Sequence, residues 1–304
     1  MSIDLVVPKE VELPTLLDEL RKLSWASADV LMAYARGSEP PYGFPKSLTV
    51  EEGGDGPVSA ADMAVNELLI SGLKDNLAFK EWDILSEETS KEKTFQQDNY
   101  KKDWCWILDP LDGTKDFLQG SENYAVHIAL AYKKKPKIGI VLIPEKNELW
   151  FGIVGIGAWF ENRDGSKNHF SFSDRLDISK LILVSSKNHQ QSKLNNLLST
   201  LCFGETKKIG SVGCKVASIL RGEADVYISL SGKTSPKDWD MAAPHALIEA
   251  AGGMFSHADG KNLVYQETNY SQSGCLIASH GKSHQKICQK AMDFFSLEEP
   301  KYFV

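Results

Sequence analysis

This sequence of 304 residues has no excess of basic residues. It contains 34 Lys and Arg and 41 Asp and Glu, which gives a formal net charge of −7. A protein that binds nucleic acid polymers needs a basic face to displace counterions from the phosphates. We therefore expect no nucleic acid polymer as a partner, whereas a local basic pocket is compatible with this charge. Apolar residues make up 42% of the chain, so a sizeable core can form.

Long apolar runs and paired cysteines are also missing. No run reaches the roughly 18 apolar residues that a membrane-spanning helix requires, and the first residues, MSIDLVVPKEVEL, carry charges instead of the apolar stretch of a signal peptide. The five cysteines form no CxxC pair, which fits reduced thiols better than a disulfide scaffold or a zinc site. We expect a cytoplasmic protein without a membrane partner.

Helical and strand-like segments are arranged along the chain as in an α/β protein. An apolar stripe predicts a helix over 16–34, and four apolar segments within 125–161 predict an antiparallel meander of strands. In the second half strands and helices alternate, which favours α/β layering. The polar stretch 162–177 is the expected boundary between two lobes, residues 1–170 and 171–304.

The segment WILDPLDGTKDF is the most informative part of the sequence. An apolar strand delivers Asp109, and Pro110 is expected to stop the strand and turn the chain, so that Asp109 and Asp112 converge. The Leu111 carbonyl and the Thr114 hydroxyl would add two further oxygens. Hard cations such as Mg²⁺ prefer oxygen ligands in an octahedral array, so the turn is a candidate cation site. The alternative is a capped turn whose aspartates bind backbone N–H groups.

Other phosphate and metal motifs do not fit the sequence. The spacing of Asp109 and Asp112 lacks the closing glutamate of an EF-hand loop. Phosphoaspartyl hydrolases need two aspartates that lie two residues apart, and these lie three apart. No GxxxxGK[ST] segment occurs, so a Walker-type nucleotide cradle is absent.

Three further acidic residues stand at element ends. Glu87 follows a short apolar strand, where acids usually face solvent, and Asp62 lies near a helix start, where it can offset the helix dipole. Asp240 is expected to be the N-cap of a helix that has Pro244 in its first turn. If Glu87 and Asp240 converge with the two aspartates of the DPLDGT turn, their repulsion requires cations, which implies a multi-metal phosphate site.

Four motifs in order resemble the inositol monophosphatase superfamily of Mg²⁺-dependent, lithium-sensitive phosphatases: PVSAAD, SEE, WILDPLDGTKDF and WDMAAPHALIEAAGG. Within it, the lysine of DGTKDF and the stretches SSKNH and IGSVGCK resemble the 3′(2′),5′-bisphosphate nucleotidases of sulfur metabolism. The resemblance implies an αβαβα sandwich of alternating helix and sheet layers, with the active site between the lobes. Residues 1–170 would then be the metal-binding lobe and residues 171–304 the substrate-binding lobe.

The resemblance also implies a role for each matching residue. Two Mg²⁺ ions, with a weaker third, would be held by the Leu111 carbonyl and by the carboxylates of Glu87, Asp109, Asp112 and Asp240. Thr114, paired with Asp62, would orient or deprotonate the attacking water. The expected substrate contacts are Gly113, Thr114, His189, Ser211, Lys215 and Asp240.

Two of the substrate contacts have competing explanations. His189 is either a ligand of the nucleotide or a polar surface residue in a turn between a strand and a helix. Lys215 is either a phosphate ligand or an exposed cation at a helix start. Its place after GSVGC favours phosphate binding, because we expect this loop to offer free backbone N–H groups. Tyr227 and Trp239 are expected to pack in the core.

The function that the resemblance implies is hydrolysis of the 3′-phosphate of 3′-phosphoadenosine 5′-phosphate, which gives AMP and phosphate. A second substrate would be 3′-phosphoadenosine 5′-phosphosulfate. The alternatives are an inositol monophosphatase or sugar bisphosphatase of the same chemistry, and a metal-binding regulator without turnover. Intact Thr114 and Asp62 argue against the regulator. The expected partner is a small phosphorylated nucleotide, bound by a monomer or a homodimer.

Overall fold

Helices and strands account for most of the residues that the computed structural model describes, which are 7–8, 11–53, 56–75, 82–92, 102–187, 192–231, 235–267 and 269–298. The helices are α1 (Leu13–Ala35), α2 (Ala60–Asp75), α3 (Glu87–Glu92), α4 (Thr114–Leu118), α5 (Ser192–Leu201), α6 (Val212–Leu220), α7 (Asp238–Ala250) and α8 (His284–Glu298). The strands are β1 (Val50–Gly53), β2 (Gly56–Ser59), β3 (Asp83–Ser86), β4 (Trp104–Asp112), β5 (Ala125–Tyr132), β6 (Lys135–Ile143), β7 (Glu148–Ile153), β8 (Gly157–Glu161), β9 (Lys167–Asn168), β10 (Ile182–Ser185), β11 (Glu205–Lys208), β12 (Val226–Leu230), β13 (Met254–His257) and β14 (Cys275–Ser279).

These strands form two large sheets and a small hairpin, β1–β2. The seven-stranded sheet has the order β3-β4-β5-β6-β7-β8-β9, and all its pairs are antiparallel except β3 with β4. Its strands β5 to β8 are the predicted antiparallel meander. The five-stranded sheet has the order β11-β10-β12-β14-β13, in which β10, β11 and β12 are parallel and β14 is antiparallel to both its neighbours.

Helices and sheets alternate in five layers, as predicted. Helices α1 and α2 pack on one face of the seven-stranded sheet in one apolar core. A second core joins the other face of that sheet, helices α6 and α7, and one face of the five-stranded sheet. Helices α5 and α8 cover the remaining face of the five-stranded sheet in a third core. The burial of the larger sheet on both faces explains why its central strands β5, β6 and β7 are buried along nearly their whole length.

Helix α7 lies unusually close to the seven-stranded sheet, because two glycines leave room for its backbone. A Cβ atom added to Gly139 of β6 would lie 2.2 Å from the Ala243 carbonyl oxygen, and one added to Gly152 of β7 would lie 2.4 Å from Leu247 Cα. Both clashes are with backbone atoms, which side-chain movement cannot relieve. The glycines therefore fix the position of the helix that carries Asp240.

The prediction that Pro110 ends its strand is wrong. Strand β4 continues to Asp112, and its register against β5 shifts between the pairs Asp109–His127 and Asp112–Ala125. Pro110 lies in this irregularity, where the N–H that proline lacks is not needed for the ladder. The irregularity takes the place of the predicted turn and redirects the chain between the two aspartates.

The predicted start of α7 is also wrong. The helix begins at Asp238 with Lys237 as the N-cap, so Asp240 is the third helical residue, and its Oδ2 accepts the Lys237 backbone N–H at 2.6 Å. Pro244 consequently lies inside the helix, not in the first turn. Asp238 turns inward, where Gln272 Nε2 donates to its Oδ1 at 2.7 Å. This bond favours the earlier start.

The polar stretch 162–177 lies between β8 of the larger sheet and β10 of the smaller one. It contains the short strand β9, which is the edge strand of the larger sheet. Helices α6 and α7 follow this stretch but pack on the larger sheet, so both parts of the chain share one core. The division into lobes 1–170 and 171–304 stays a prediction.

All five cysteines are free, as predicted. Among the described residues, no helix combines the length and the apolar character needed to cross a membrane.

Candidate active site

Three aspartates from two distant parts of the chain converge at the carboxyl end of β4. One carboxylate oxygen from each of Asp109, Asp112 and Asp240 lies within 4.8 Å of the other two. Asp109 is completely buried, whereas Asp112 and Asp240 are partly exposed. The register shift in β4 positions the first two, and the close packing of α7 positions the third. The structure thus brings together three of the predicted metal ligands.

Glu87, the first residue of α3, lies near Asp109 at the end of β3, which is parallel to β4. Ser86, the last residue of β3, pairs with the residue before Asp109, so Glu87 emerges at the same end of the sheet. Burial raises the pKa of Asp109 well above its usual range, and the nearby negative charge of Glu87 raises it further. Ser86 Oγ donates a 2.6 Å hydrogen bond to Asn66 Oδ1, which ties the end of β3 to α2.

The cluster fits a hard divalent cation. Burial raises the pKa of Asp240 well above its usual range, and the negative charges of Asp112 and Glu87 raise it further. Asp109 Oδ2 is buried and has no hydrogen-bond partner among the described residues. Carboxylate oxygens without donors are the ligands that Mg²⁺ prefers, and a cation would offset their mutual repulsion. The chemistry of this donor set therefore fits a metal site, as predicted.

Thr114 and Asp62 form a hydrogen-bonded pair beside the cluster. Gly113, with φ of 95°, is the N-cap of the short helix α4, and Thr114 is its first residue. The Thr114 hydroxyl lies 2.9 Å from Asp62 Oδ1 and 3.1 Å from the Leu111 carbonyl oxygen. Ser59 donates to Asp62 Oδ2 through its backbone N–H at 2.8 Å and its hydroxyl at 2.5 Å. Burial raises the pKa of Asp62, which favours its acceptance of a proton.

The amino end of α6 is bonded to Asp112. Ser211, the N-cap of α6, donates from Oγ to Asp112 Oδ2 at 2.6 Å, and the backbone N–H groups of Val212 and Gly213 donate to the same oxygen. Ser211 Oγ in turn accepts the Cys214 N–H at 3.2 Å. The expectation that this loop offers free N–H groups is therefore wrong, because these groups hold a carboxylate of the cluster.

Lys215 is a buried residue with 3% of its surface exposed, not an exposed cation at a helix start. Its ammonium donates to the Gly210 carbonyl oxygen and lies 5.2 Å from the centre of the Tyr227 ring. Tyr227 and Trp239 both pack in the core between the sheets, as predicted. His189, the remaining predicted substrate contact, lies outside the described residues.

Two features near the site were not predicted from the sequence. Lys187 Nζ lies 2.6 Å from Asp116 Oδ1 and 3.1 Å from Ser121 Oγ, and no local pattern signals a pair of residues 71 positions apart. His127 Nε2 lies 3.3 Å from Asp112 Oδ2 in the buried interior. The signal for His127 was its place as the one histidine in the apolar strand AVHIALAY.

The five-layered fold and the cluster of carboxylates beside a Thr–Asp pair define the class of protein, a layered α/β protein with an acidic cluster that fits a metal site. A family model described as the inositol monophosphatase family matches residues 16–294. The chain therefore belongs to the inositol monophosphatase family, and it is a phosphatase.

Curated relatives match most of the chain. The 3′(2′),5′-bisphosphate nucleotidase CysQ of Salmonella typhimurium is 30% identical over 250 residues, and that of Shigella flexneri is 31% identical; both alignments cover 82% of this chain and 94% of the relative. An IMPase from Thermotoga maritima matches in fold with a TM-score of 0.71 at 21% identity, over 93% of this chain and 98% of that one. An IMPase/NADP phosphatase complexed with NADP and Ca²⁺ gives 0.72 at 19% identity, over 93% and 97%.

Proposed function

We propose that this phosphatase uses water to remove the 3′-phosphate from 3′-phosphoadenosine 5′-phosphate, giving AMP and phosphate. We propose 3′-phosphoadenosine 5′-phosphosulfate as a second substrate, which would give adenosine 5′-phosphosulfate. The observation that carries the proposal is the convergence of carboxylates beside the Thr114–Asp62 pair, in a chain that is 30% and 31% identical to two 3′(2′),5′-bisphosphate nucleotidases. This activity would belong to sulfur metabolism in the cytoplasm.

Mg²⁺ is the proposed cofactor, with two ions per site and a weaker third that shares Glu87. The first would be held by Glu87, Asp109 and the Leu111 carbonyl, and the second by Asp109, Asp112 and Asp240. When bound, such ions supply charge neutralisation for the phosphate and the leaving oxygen and lower the pKa of water. Sensitivity to lithium is part of the same proposal.

Thr114 is the proposed neighbour of the attacking water. Its hydroxyl lies 2.9 Å from Asp62 Oδ1, so the Thr114 proton is directed to Asp62 and the lone pairs of Thr114 Oγ1 can accept a proton from water. The water oxygen attacks phosphorus in line with the ribose oxygen while its proton passes to the Thr114–Asp62 pair. The bond between phosphorus and the ribose oxygen breaks, and that oxygen leaves as a hydroxyl by taking a proton from a second water molecule. Ser59 keeps Asp62 in place through both its donors.

The other proposed substrate contacts surround this centre. Gly113 begins α4 next to Thr114, and Ser211 and Asp240 belong to the groups that line or support the carboxylate cluster. The Lys215 ammonium is buried behind the Gly210 carbonyl, so we assign it a contribution of positive charge to the site. His189 is retained as a proposed contact from the sequence resemblance alone.

The proposed partner is a small phosphorylated nucleotide, bound by a monomer or a homodimer with neither a nucleic acid polymer nor a membrane. The carboxylate cluster alone would also serve an inositol monophosphatase or a sugar bisphosphatase. A metal-binding regulator without turnover is disfavoured by the Thr114–Asp62 pair, because binding alone requires no group that prepares water.

Phosphate release with Mg²⁺ tests the proposal. The panel contains 3′-phosphoadenosine 5′-phosphate, its sulfonated relative, inositol monophosphate and fructose bisphosphate, and we expect the highest kcat/KM for the first. A higher value for the inositol or sugar phosphate would overturn the nucleotide specificity, and no release from any of them would favour the regulator. Asp112→Asn is the control, a folded variant that should release no phosphate.

A further inference from the structure

The groups first expected to bind the second phosphate of the substrate are already engaged within the protein. The Val212 and Gly213 N–H groups and the Ser211 hydroxyl donate to Asp112 Oδ2. The Lys215 ammonium is buried and donates to the Gly210 carbonyl oxygen. A bisphosphate whose 3′-phosphate lies at the carboxylates still requires a cation for its 5′-phosphate, since a dianion needs charge-assisted hydrogen bonds to bind well.

Lys187 offers such a cation. A lysine ammonium has three N–H donors, and those of Lys187 face Asp116 Oδ1 at 2.6 Å and Ser121 Oγ at 3.1 Å, which accounts for two of them. The Lys187 side chain is 33% exposed, whereas that of Asp116 is 3% exposed. Asp116 and Ser121 thus hold the ammonium in one place, and among the described residues its third donor is left for a ligand that arrives from solvent.

The position of Lys187 connects it to the candidate active site. Asp116 lies in the first turn of α4, two residues after Thr114. Its carboxylate packs against Gly210, where an added Cβ atom would lie 2.3 Å from Asp116 Oδ2. Gly210 adjoins Ser211, which holds Asp112. The Asp116 carboxylate therefore contacts Lys187 on one side and Gly210, the residue before Ser211, on the other.

Two cations lie near the buried carboxylate of Asp116, and they differ in accessibility. Lys187 forms an ion pair with Asp116, whereas Lys215 is buried and the charges of Asp112, Asp116 and Asp240 all act on it. Lys187, with 33% of its side chain exposed, is therefore the one of these two cations that a phosphate group can reach from solvent.

We propose that Lys187 binds the 5′-phosphate, the phosphate that is not cleaved, and so determines the preference for a 3′,5′-bisphosphate over a 3′-monophosphate. This inference rests on the proposed function and names the specificity-determining cation of the same site. Lys187→Met removes the charge and keeps most of the volume, and Lys187→Arg keeps the charge. Lys282 provides a matched control, since its Nζ lies 2.7 Å from Asp174 and its side chain is 37% exposed.

The first test is kcat/KM for 3′-phosphoadenosine 5′-phosphate and for adenosine 3′-phosphate. We expect Lys187→Met to lower the first value by about 10- to 100-fold, the range of a hydrogen bond to a charged group. The second value should stay within about twofold of the wild type, Lys187→Arg should retain the preference, and Lys282→Met should change neither value. An equal loss on both substrates would show that Lys187 only fixes α4 to the end of β10, and no loss would overturn the proposal outright.

The second test does not depend on turnover. Calorimetric titration with AMP and with adenosine measures the contribution of the 5′-phosphate to binding. Lys187→Met should weaken AMP binding by about 10- to 100-fold and leave adenosine binding unchanged. Equal AMP affinity in the variant and the wild type, or no AMP binding by the wild type, would overturn the role of Lys187. A wild type that binds AMP through Lys187 but hydrolyses no bisphosphate would overturn the proposed function alone.

Discussion

Ser211 Oγ lies 2.6 Å from Asp112 Oδ2, although 99 residues separate them in the chain. The same hydroxyl accepts the Cys214 N–H as the N-cap of α6. One side chain therefore both stabilises the start of a helix and fixes one oxygen of a proposed metal ligand. Because Asp112 belongs to the carboxylate cluster, this bond makes the geometry of the cluster depend on α6.

Ser211→Ala tests this double role. Loss of the N-cap should lower the free energy of unfolding by about 1 kcal/mol in denaturant titrations without metal. Loss of the bond to Asp112 should also raise the Mg²⁺ concentration for half-maximal activity by about 10-fold, the lower end of the effect of groups that orient metal ligands. Ser211→Thr keeps the hydroxyl and should behave like the wild type in both measurements. Unchanged Mg²⁺ dependence in Ser211→Ala would limit Ser211 to capping.

The sequence predicted those parts of the site that are local. Asp109, Asp112 and Thr114 lie within six residues at a strand end, so their proximity follows from chain connectivity alone. The helices and the meander follow from apolar patterns, because their faces are buried in the cores. The pairing of Asp62 with Thr114 was expected only from the family resemblance, since nothing local connects residues 52 positions apart.

The features that the sequence did not predict depend on long-range packing. The N–H groups of α6 are engaged because Asp112 reaches them from the end of β4 in the seven-stranded sheet. The earlier start of α7 reflects the inward Asp238, whose partner Gln272 lies 34 residues further on. The continuation of β4 past Pro110 depends on the bulged pairing with β5. Each of these outcomes requires knowledge of which elements are neighbours.

The Thr114–Asp62 pair predicts a coupled loss of activity. Thr114→Val and Asp62→Asn should each lower kcat by about 10²- to 10⁴-fold, because each interrupts the path of the proton from water to Asp62. The double variant should be no slower than the slower single variant, since the two residues act as one unit. Steady-state kinetics at saturating Mg²⁺ measure these values. Thr114→Ser, which keeps the hydroxyl, is the control. Additive losses in the double variant would show that Thr114 and Asp62 act independently.

Asp109→Asn should separate stability from activity. The carboxylate of Asp109 is fully buried among like charges, and an asparagine has nearly the same shape with two N–H donors for the neighbouring carboxylates. Without divalent cations we expect the variant to be more stable than the wild type by about 1 to 3 kcal/mol. It should release no phosphate. Thermal unfolding with EDTA and with Mg²⁺ measures the first effect and the metal response.

The wild type is the reference for that metal response. Mg²⁺ should raise its melting temperature, because binding to the folded state alone stabilises that state. The Asp109→Asn variant should lose most of this increase. Glu148→Gln is a control for a carboxylate outside the cluster, where Glu148 is paired with Arg221. A wild type whose melting temperature does not respond to Mg²⁺ would contradict the metal site.

His284 is the centre of a chain of hydrogen bonds that requires an uncharged ring. Ser256 Oγ donates to the His257 carbonyl oxygen at 2.8 Å, so it accepts from His284 Nε2, also at 2.8 Å. The remaining ring nitrogen, Nδ1, then accepts from Ser279 Oγ at 2.9 Å, and Ser279 Oγ accepts the Gly281 N–H. A second proton on the ring would take the place of the Ser279 donor. This arrangement anchors the first residue of α8 to β13 and β14.

A pH dependence of stability follows from this chain. Burial lowers the pKa of His284 to about 4, whereas an unfolded histidine titrates near 6.5. The stabilisation is fully present above pH 6.5 and is lost as the pH falls towards 4, because the unfolded chain then binds a proton that the folded protein does not. His284→Gln should therefore reduce the slope of unfolding free energy against pH by up to about 1.4 kcal/mol per pH unit between pH 6 and 4.5. Denaturant titrations at several pH values measure that slope. His169→Gln, which replaces an exposed histidine, is the control, and equal slopes in His284→Gln and the wild type would contradict the uncharged, buried state of His284.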